Sequence, residues 1–299
     1  MRVLVAGSSG LIGSELTRQL EARGDTVVRL VRRAATSANE ITWDPGIGQL
    51  DPAALTGIDA VVNLAGANIG KLPWTKKYRA ELIDSRLNST RTLVNAINDA
   101  GTRPKVFASA SGSGFYGDTG QATAVETDAA GEGFLADLCV SWEAEAARVN
   151  SNVRLVLLRT GIVLAAKSGA LARLLPLIRM GVGGPLGSGR QWWSWISLKD
   201  EARAIVHLLD SPSASGPFNL VAPTATTNLN LVKALAKQLG RPALLPAPAF
   251  ALRAALGEAA DDLLLCNQKL SGQKLAASGF DFSHADLEGA LNWVLGKKR

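Results

Sequence analysis

Short apolar runs alternate with segments of helical periodicity through the first half of the chain. The first run, residues 3–6, breaks into glycine and serine, after which apolar residues recur at Leu11, Ile12, Leu16 and Leu20. This order predicts a strand, a tight turn and an amphipathic helix.

The same alternation continues beyond this first unit. Strands are expected at 27–31, 58–64, 104–108 and 153–158, and helices at 76–100 and 134–149. The residues after Arg33 are expected to form a polar loop, followed by a short helical turn at 52–55. Strand–helix alternation over 160 residues predicts the α/β class, as a Rossmann-type doubly wound parallel sheet.

The pattern changes after residue 165. Residues 181–189 hold five glycines and one proline, and a strand candidate rich in tryptophan follows at 190–196. Helices are expected at 200–209 and 229–239, the second capped by Asn228, with a short strand at 218–220. Three prolines then mark a linker, after which only helical patterns remain. The linker prolines are Pro242, Pro246 and Pro248.

These changes divide the chain into three regions. Residues 1–165 are expected to form the doubly wound domain, whose sheet is completed by segments near 190–220. Residues 166–248 supply a smaller C-terminal substrate region interleaved with the core, and residues 249–299 form a helical appendage.

Composition narrows the class of protein. With 299 residues, 47% hydrophobic and 19% charged, the chain has the composition of an ordinary globular protein. The net charge of +6 comes from scattered Lys and Arg, without the dense basic run and interleaved aromatics typical of nucleic-acid binding. We therefore expect no nucleic-acid partner and a weak preference for anionic small molecules.

The cysteine, histidine and hydropathy patterns bear on metal binding and compartment. Cys139 and Cys266 lie far apart without C-x-x-C spacing, which indicates neither a zinc site nor a disulfide. His207 and His284 are isolated, so no metal site is expected. No apolar segment approaches the roughly 18 residues that span a bilayer, and the chain enters its first strand at once. We expect a cytoplasmic protein with no membrane partner.

Three glycines follow the first strand with the spacing G-x-x-G-x-x-G. Gly7 permits the turn, Gly10 lets the backbone approach a pyrophosphate, and Gly13 lets the helix lie close to the strand. The helix N-terminus offers free N–H groups to phosphate, so the turn, including Ser9, Leu11 and Ile12, is the candidate cofactor site. The alternative is a plain strand-to-helix turn whose glycines serve packing.

The end of the second strand bears on which dinucleotide is bound. An NAD site places an acidic residue about 20 residues after the glycines, to hold the ribose 2′-hydroxyl. Here Arg32 and Arg33 stand in that window without an acid. Their guanidinium groups suit a 2′-phosphate, which predicts NADP(H) as cofactor. A solvated basic strand end is the alternative.

Candidate chemistry follows the strand expected at 104–108. Residues 109–118 are rich in hydroxyls and glycine, which places polar donors at the crevice of an open α/β sheet. Ser111 fits a hydroxyl that binds a substrate oxygen, and Tyr116 fits an acid in the same loop. The alternatives are a turn hydroxyl for Ser111 and a half-buried core ring for Tyr116.

The tryptophan-rich segment is the candidate substrate surface. Trp192 and Trp195 are able to stack on a sugar, base or flat acyl group, and Arg190 to meet an anionic group. Packing between two lobes is the alternative for the indoles.

The motifs together resemble the extended short-chain dehydrogenase/reductase superfamily. They also resemble, more narrowly, its atypical epimerase-type branch, often labelled sugar-nucleotide epimerase, which has a helical C-terminal appendage. The motifs that carry the resemblance are the three glycines, Asn63-Leu64-Ala65-Gly66, Ser109-Ala110-Ser111 with Tyr116-Gly117, Arg159-Thr160-Gly161 and Trp195-Ile196-Ser197-Leu198-Lys199-Asp200, together with the Asp44-Pro45 loop, Ser85-Arg86 and Gly279-Phe280 with Ala290-Leu291.

The resemblance implies a Rossmann domain that binds NADP(H), with a small-molecule substrate held mainly by the C-terminal region. It also implies that certain residues border the cofactor. These are Leu64, Ala65, Gly66, Glu81, Arg86 and Thr160. From the residues alone, Glu81 and Arg86 are equally explained as a solvated ion pair on one helix.

The chain departs from the superfamily at the Tyr-x-x-x-Lys pair, in which the lysine lowers the pKa of the tyrosine. Four residues after Tyr78 stands Leu82, and four after Tyr116 stands Gly120. Where the helix should carry the pair, residues 138–142 read Leu-Cys-Val-Ser-Trp. One hypothesis is therefore an oxidoreductase or epimerase that uses NADP(H) on a small carbonyl or sugar-nucleotide-like compound. The other is a non-catalytic NADPH-binding sensor or interaction protein.

Overall fold

A computed structural model describes residues 1–166 and 168–296 of the chain. The strands are β1 (Arg2–Ala6), β2 (Thr26–Val31), β3 (Glu40–Thr42), β4 (Ala60–Asn63), β5 (Val106–Gly112), β6 (Arg154–Thr160), β7 (Ile162–Leu164), β8 (Trp192–Trp193), β9 (Trp195–Ser197), β10 (Gly216–Leu220) and β11 (Thr226–Thr227). The helices are α1 (Leu11–Ala22), α2 (Lys76–Asp99), α3 (Phe134–Ala146), α4 (Gly169–Arg179), α5 (Leu198–Asp210), α6 (Asn228–Leu239), α7 (Ala249–Leu256), α8 (Glu258–Ala260), α9 (Gln273–Ala277) and α10 (Leu287–Val294).

Seven strands form one parallel sheet in the order β10-β6-β5-β4-β1-β2-β3. The order reverses between β1 and β4, which is where open α/β sheets bind ligands. Alternate strand residues face two apolar layers: Val3 and Val5 pack with α1 and α5, and Leu4 packs with α2. The expected α/β class and doubly wound parallel sheet are confirmed.

Strand β3 lies where the sequence predicted a polar loop. It is one of the two edge strands of the sheet, pairing with β2 through Arg29 and Glu40, and its residues are at most partly buried. An edge strand has one partner and little apolar surface to bury, so its sequence lacks the apolar run used to recognise the others. It carries Glu40 to the end of β2.

Two local expectations also need correction. Thr227, and not Asn228, caps α6: the Thr227 side chain accepts a hydrogen bond from the Asn230 amide, whereas Asn228 Oδ1 accepts one from the Leu186 amide at 2.8 Å. The tryptophan-rich segment gives two short strands outside the main sheet, β8 paired with β11 and β9 with β7. Only β10 of the segments near 190–220 joins the seven-stranded sheet.

The C-terminal region is mostly helical, with a π-helical turn at Asp261–Leu265 and an extended stretch from 266 to 272. The extended stretch pairs Gln268 with Trp193 and Leu270 with Ala124. It therefore connects the appendage to the loop that follows β5. Within the described ranges, none of the helices has both the length and the apolar character needed to cross a membrane.

Candidate cofactor and active site

The turn between β1 and α1 leaves no room for side chains at two glycines. Gly7 has a φ of +80°, and a Cβ there would lie 2.6 Å from the carbonyl oxygen of Leu64. A Cβ on Gly13 would lie 2.2 Å from the carbonyl oxygen of Gly7. The addition of one carbon at either position would force the backbones of β1, α1 and the β4 loop apart.

The N-terminus of α1 has the features of an anion site. No side chain of the described chain caps it at Gly10, and its first turn contains no acidic residue. Ser9 and Gly10 are exposed, while Leu11 and Ile12 are half-buried at the start of the helix. Uncapped amides and the positive end of the helix dipole are therefore available to phosphate.

The two arginines after β2 have different surroundings. Arg33 donates two hydrogen bonds to the Glu40 carboxylate, at 2.8 and 2.6 Å, and this contact, with help from Thr36, lowers the pKa of Glu40 to about 2. Arg32 is exposed and forms no ion pair or hydrogen bond with the described residues. Arg33 is therefore held by β3, whereas the Arg32 guanidinium has no partner among the described residues.

The loop after β4 lies beside the glycine turn. Asn63 fixes it, since its Oδ1 accepts a hydrogen bond from the Ala65 amide at 3.1 Å and its Nδ2 donates to Thr90. Leu64 packs against the core, and its carbonyl faces Gly7. Gly66 lies directly against the Arg86 side chain. Leu64, Ala65 and Gly66 therefore border the same crevice as the glycine turn.

Glu81 and Arg86 do not form the ion pair that was the alternative to a cofactor role. Glu81 is exposed, whereas Arg86 is 8% exposed and donates to the backbone carbonyl of Leu82 at 3.0 Å. The Arg86 guanidinium lies over the Trp142 ring, 5.2 Å from its centroid. Burial lowers the pKa of Arg86.

A buried polar network connects the two candidate catalytic residues. Ser111 Oγ donates to Glu143 Oε1 at 2.6 Å, and Arg159 binds both carboxylate oxygens of Glu143 at 2.8 Å. Arg159 Nη1 also donates to the Tyr116 hydroxyl, which in turn donates to Asn219 Oδ1, both at 2.8 Å. The register of the sheet explains the contact, because Ser111 of β5 is paired with Arg159 of β6.

The hydrogen-bond network restricts the hydroxyl group of Tyr116 more than that of Ser111. Tyr116 is 4% exposed, its only proton is donated to Asn219, and burial raises its pKa. It occupies the position of a buried core ring, which was the alternative to its role as an acid. Ser111 lies near the carboxyl end of β5, where the sheet opens.

Helix α3 contains neither a tyrosine nor a lysine, the pair that the resemblance implies on this helix. Cys139 and Glu143 stand four residues apart, and Cys139 Sγ contacts the carbonyl oxygen of Gly112 at 3.8 Å. Burial raises the pKa of the Cys139 thiol to about 11. Sequence reasoning missed Glu143 and Arg159 as site residues. The available signal was the place of Arg159 in the motif Arg159-Thr160-Gly161, whereas Glu143 is one of three acidic residues in α3 and has no distinguishing local pattern.

Thr160 also has a partner within the protein. Its hydroxyl donates to Glu201 Oε1 at 2.8 Å, on the α5 side of the sheet. Burial raises the pKa of Glu201 to about 8, and its Oε2 has no hydrogen-bond partner in the described chain. The cofactor role implied for Thr160 therefore competes with this contact.

The candidate substrate residues separate into an exposed and a buried set. Arg190 is exposed, and Trp192 is half-buried, with its Nε1 donating to Gln121 at 2.9 Å and Lys269 Nζ 4.4 Å from its ring centroid. Trp195 is 1% exposed and packs in the core beneath α4 and α6. Its ring therefore has no open face, and the packing alternative is correct for this residue.

A cavity of about 280 Å³ lies between the loop after β5 and the appendage. It is lined by Gly114, Asp118, Glu132, Arg253 and Asp262, among others. Its lining includes Gly114, Gly117 and Asp118 of the polar stretch 109–118, but neither Ser111 nor Tyr116. Within residues 1–166 and 168–296, no cluster of three or more His, Cys, Asp or Glu residues is arranged to hold a metal ion.

A doubly wound parallel sheet with a glycine turn between its first strand and first helix defines a Rossmann-type nucleotide-binding protein. The chain belongs to the NAD dependent epimerase/dehydratase family, whose model matches residues 3–221. A second model, a domain of unknown function (DUF1731), matches residues 247–294. The resemblance stated from the sequence, including the C-terminal appendage, is thereby confirmed.

Related proteins match along the whole chain. The epimerase family protein Mb2239 of Mycobacterium bovis is 46% identical over 293 residues, which cover 98% of this chain and 97% of that protein. The crystal structure of the human epimerase family protein SDR39U1 (isoform 2) with NADPH is 34% identical, with a TM-score of 0.92 and 99% of each chain covered. The nucleoside-diphosphate sugar epimerase structure from Corynebacterium glutamicum is 29% identical, with a TM-score of 0.81, covering 99% of this chain and 58% of that one.

Proposed function

We propose that this protein binds NADP(H) and transfers hydride between that cofactor and a small carbonyl or alcohol substrate. The observation that carries the proposal is the turn at Gly7 and Gly13, where only glycine fits and the α1 amides are uncapped. The α1 N-terminus would hold the pyrophosphate, and Arg32 the 2′-phosphate. The human relative crystallised with NADPH supports the choice of cofactor.

Ser111 and Glu143 supply the proton chemistry in this proposal. In the oxidation direction, the substrate hydroxyl gives its proton to Ser111 Oγ, while the Ser111 proton passes to the Glu143 carboxylate 2.6 Å away. Arg159 holds that carboxylate through two hydrogen bonds, and so fixes the oxygen that faces Ser111. A bound nicotinamide would supply the hydride acceptor for this direction and the hydride donor for the other.

Turnover by matched serine variants tests the proposal. NADPH oxidation is followed by absorbance against a panel of aldehydes, ketones, oxo acids and sugar nucleotides. Ser111→Ala is expected to lower kcat by about 100-fold or more, the usual contribution of a positioned proton donor, without weakening NADPH binding. Ser113→Ala is the control, because its hydroxyl bonds Gln268 and not Glu143. Equal activity in Ser111→Ala and the wild type would refute the role of Ser111.

A second candidate function is NADPH binding without turnover. Two observations favour it: residues 138–142 of α3 lack the tyrosine and lysine of the superfamily, and Tyr116 donates its proton inside the protein. The same panel separates the two functions. Tight NADPH binding with no reduction of any substrate, in the wild type and both serine variants, supports the binding protein.

A further inference from the structure

Six large apolar side chains are exposed on two segments of the C-terminal region. One segment is the end of α4 with the turn after it, and the other runs from the end of α6 into α7. Single exposed apolar residues are normal, whereas a group of them marks a binding surface. The six residues, together termed the apolar tip, are Leu177, Met180, Val182, Leu244, Leu245 and Phe250.

Backbone contacts hold the two segments side by side. A Cβ on Gly184 would lie 2.2 Å from the carbonyl oxygen of Leu245. The Ala247 amide donates to the carbonyl of Pro185 at 2.9 Å, and the Gly187 amide donates to the carbonyl of Ala247 at 2.8 Å. The apolar tip is therefore one continuous surface, although its residues are more than 60 positions apart in the sequence.

The side chains of the apolar tip stand out from the protein. Leu244 is 76% exposed, Phe250 75% and Met180 65%. Side chains that line a peptide-binding groove are partly covered by its walls, whereas these have little protein around them. None of the eight residues of α7, all of which the structure describes, is buried. Apolar side chains that project from a surface helix and its flanking turns are suited to insertion among lipid headgroups.

The charged residues of these segments are all basic. Residues 168–190 and 228–257 contain seven of the 32 Lys and Arg residues of the chain and none of its 26 Asp and Glu residues. Because the whole chain has a net charge of +6, the rest of it is close to neutral. The fold thus collects in one region the positive charge that is scattered along the sequence.

Three of these cations lie beside the apolar tip and are free to bind an anion. Arg179, Lys237 and Arg241 are exposed, and their side chains form no ion pair or hydrogen bond with a described residue. A Cβ on Gly181 would lie 3.7 Å from Pro242, which brings the ends of α4 and α6 together. Basic residues also complement the C-terminal end of a helix dipole, but that effect does not account for the exposed apolar side chains next to them.

We propose that the apolar tip and these three cations bind the surface of an anionic lipid bilayer. The apolar side chains enter the headgroup region, and the cations contact the lipid phosphates. The expectation of no membrane partner concerned segments that span a bilayer, whereas this attachment is peripheral. A second copy of the chain is a poor occupant, because it would bring the same positive charges to the interface.

Cosedimentation of the full-length protein with vesicles tests the proposal. One set of vesicles contains phosphatidylcholine with phosphatidylglycerol, and the other contains phosphatidylcholine alone. We expect the wild type to bind the anionic vesicles about tenfold or more tightly than the neutral ones, since each basic residue near an anionic surface contributes about fivefold in affinity. Sodium chloride should weaken this binding.

Matched variants separate the apolar and the charged contributions. Phe250→Asp is expected to weaken binding to anionic vesicles about tenfold or more. Ile47→Asp is its control, because Ile47 is also 75% exposed but lies on the loop after β3. The double variant Arg179→Gln/Arg241→Gln should lose about tenfold or more as well, whereas exposed Lys105, changed to Gln before β5, should leave binding as in the wild type.

The other occupants give different results. Equal binding to both kinds of vesicle, or binding to neither, would overturn the proposal. Binding to soluble polyglutamate that Phe250→Asp leaves unchanged would identify an acidic protein surface as the occupant instead. A dimer in sedimentation equilibrium that Phe250→Asp dissociates would assign the surface to a second copy. NADPH binding should be the same in all variants, and the comparison of the two vesicle types on the wild type decides without any variant.

Discussion

Glu201 gives a prediction about stability that depends on pH. Its side chain is completely buried at the start of α5, with one oxygen bonded to Thr160 and the other unpartnered. Burial raises the pKa of Glu201 to about 8, from 4.5 in the exposed group. The folded protein therefore holds a proton on this residue over a pH range in which the unfolded chain has lost it.

The sign and size of the effect follow by linkage. Between pH 4.5 and about 8 the native state binds more protons than the unfolded state, so the free energy of unfolding falls as pH rises. A tenfold change in the acid dissociation constant corresponds to about 1.4 kcal/mol, so a pKa raised from 4.5 to about 8 puts the whole penalty at about 5 kcal/mol above the folded pKa. Below the unfolded pKa both states are protonated, and the penalty is absent. Glu201→Gln, the neutral isostere, removes it.

Urea denaturation at about pH 5.5 and about pH 8.5 measures this dependence. The wild type is expected to lose roughly 3 kcal/mol more stability than Glu201→Gln between the two values. Glu288→Gln, an exposed carboxylate on α10, is the control and should follow the wild type. Parallel pH profiles for wild type and Glu201→Gln would refute the assignment of a raised pKa to this carboxyl.

Three further predictions concern the network and the cofactor turn. Arg159→Met leaves the Glu143 carboxylate buried without its partner and is expected to lower the free energy of unfolding by about 3 kcal/mol or more in urea denaturation; a loss within error of zero would contradict the buried pair. Gly13→Ala places a carbon 2.2 Å from the Gly7 carbonyl oxygen, and NADPH titration of the folded variant should detect no binding, whereas wild-type affinity would refute the tight turn. Arg32→Ala should weaken NADPH binding about tenfold or more while leaving NADH binding unchanged. Arg33→Ala should weaken NADPH binding less, because the Arg33 side chain is already held by Glu40; the reverse order would assign the 2′-phosphate to Arg33.

The hydrophobic pattern was sufficient for the parallel sheet because buried strands have continuous apolar runs and their helices have a distinct period. It was insufficient for β3, whose edge position leaves its residues partly exposed. That omission hid Glu40, and with it the contact that occupies Arg33. A single polar strand therefore altered the interpretation of the cofactor site.

The candidate site could be predicted from the sequence only at positions where nearby backbone geometry requires one particular residue type. The glycine turn met that condition, because backbone contacts within a few residues require glycine at positions 7 and 13. The contact of Ser111 with Glu143, and of Glu143 with Arg159, joins one helix and two strands. Such contacts depend on strand register and on how α3 crosses the sheet, which periodicity along the chain does not specify. The burial of the Trp195 side chain could not be predicted from the sequence for the same reason.

Titration calorimetry of the wild-type protein with NADPH and NADH tests most directly whether the α1 turn and Arg32 bind the phosphates of the cofactor together. NADPH is expected to bind, and to bind about tenfold or more tightly than NADH, because the 2′-phosphate gains a charged hydrogen-bond partner. Absence of heat and of any thermal shift with both nucleotides would contradict it.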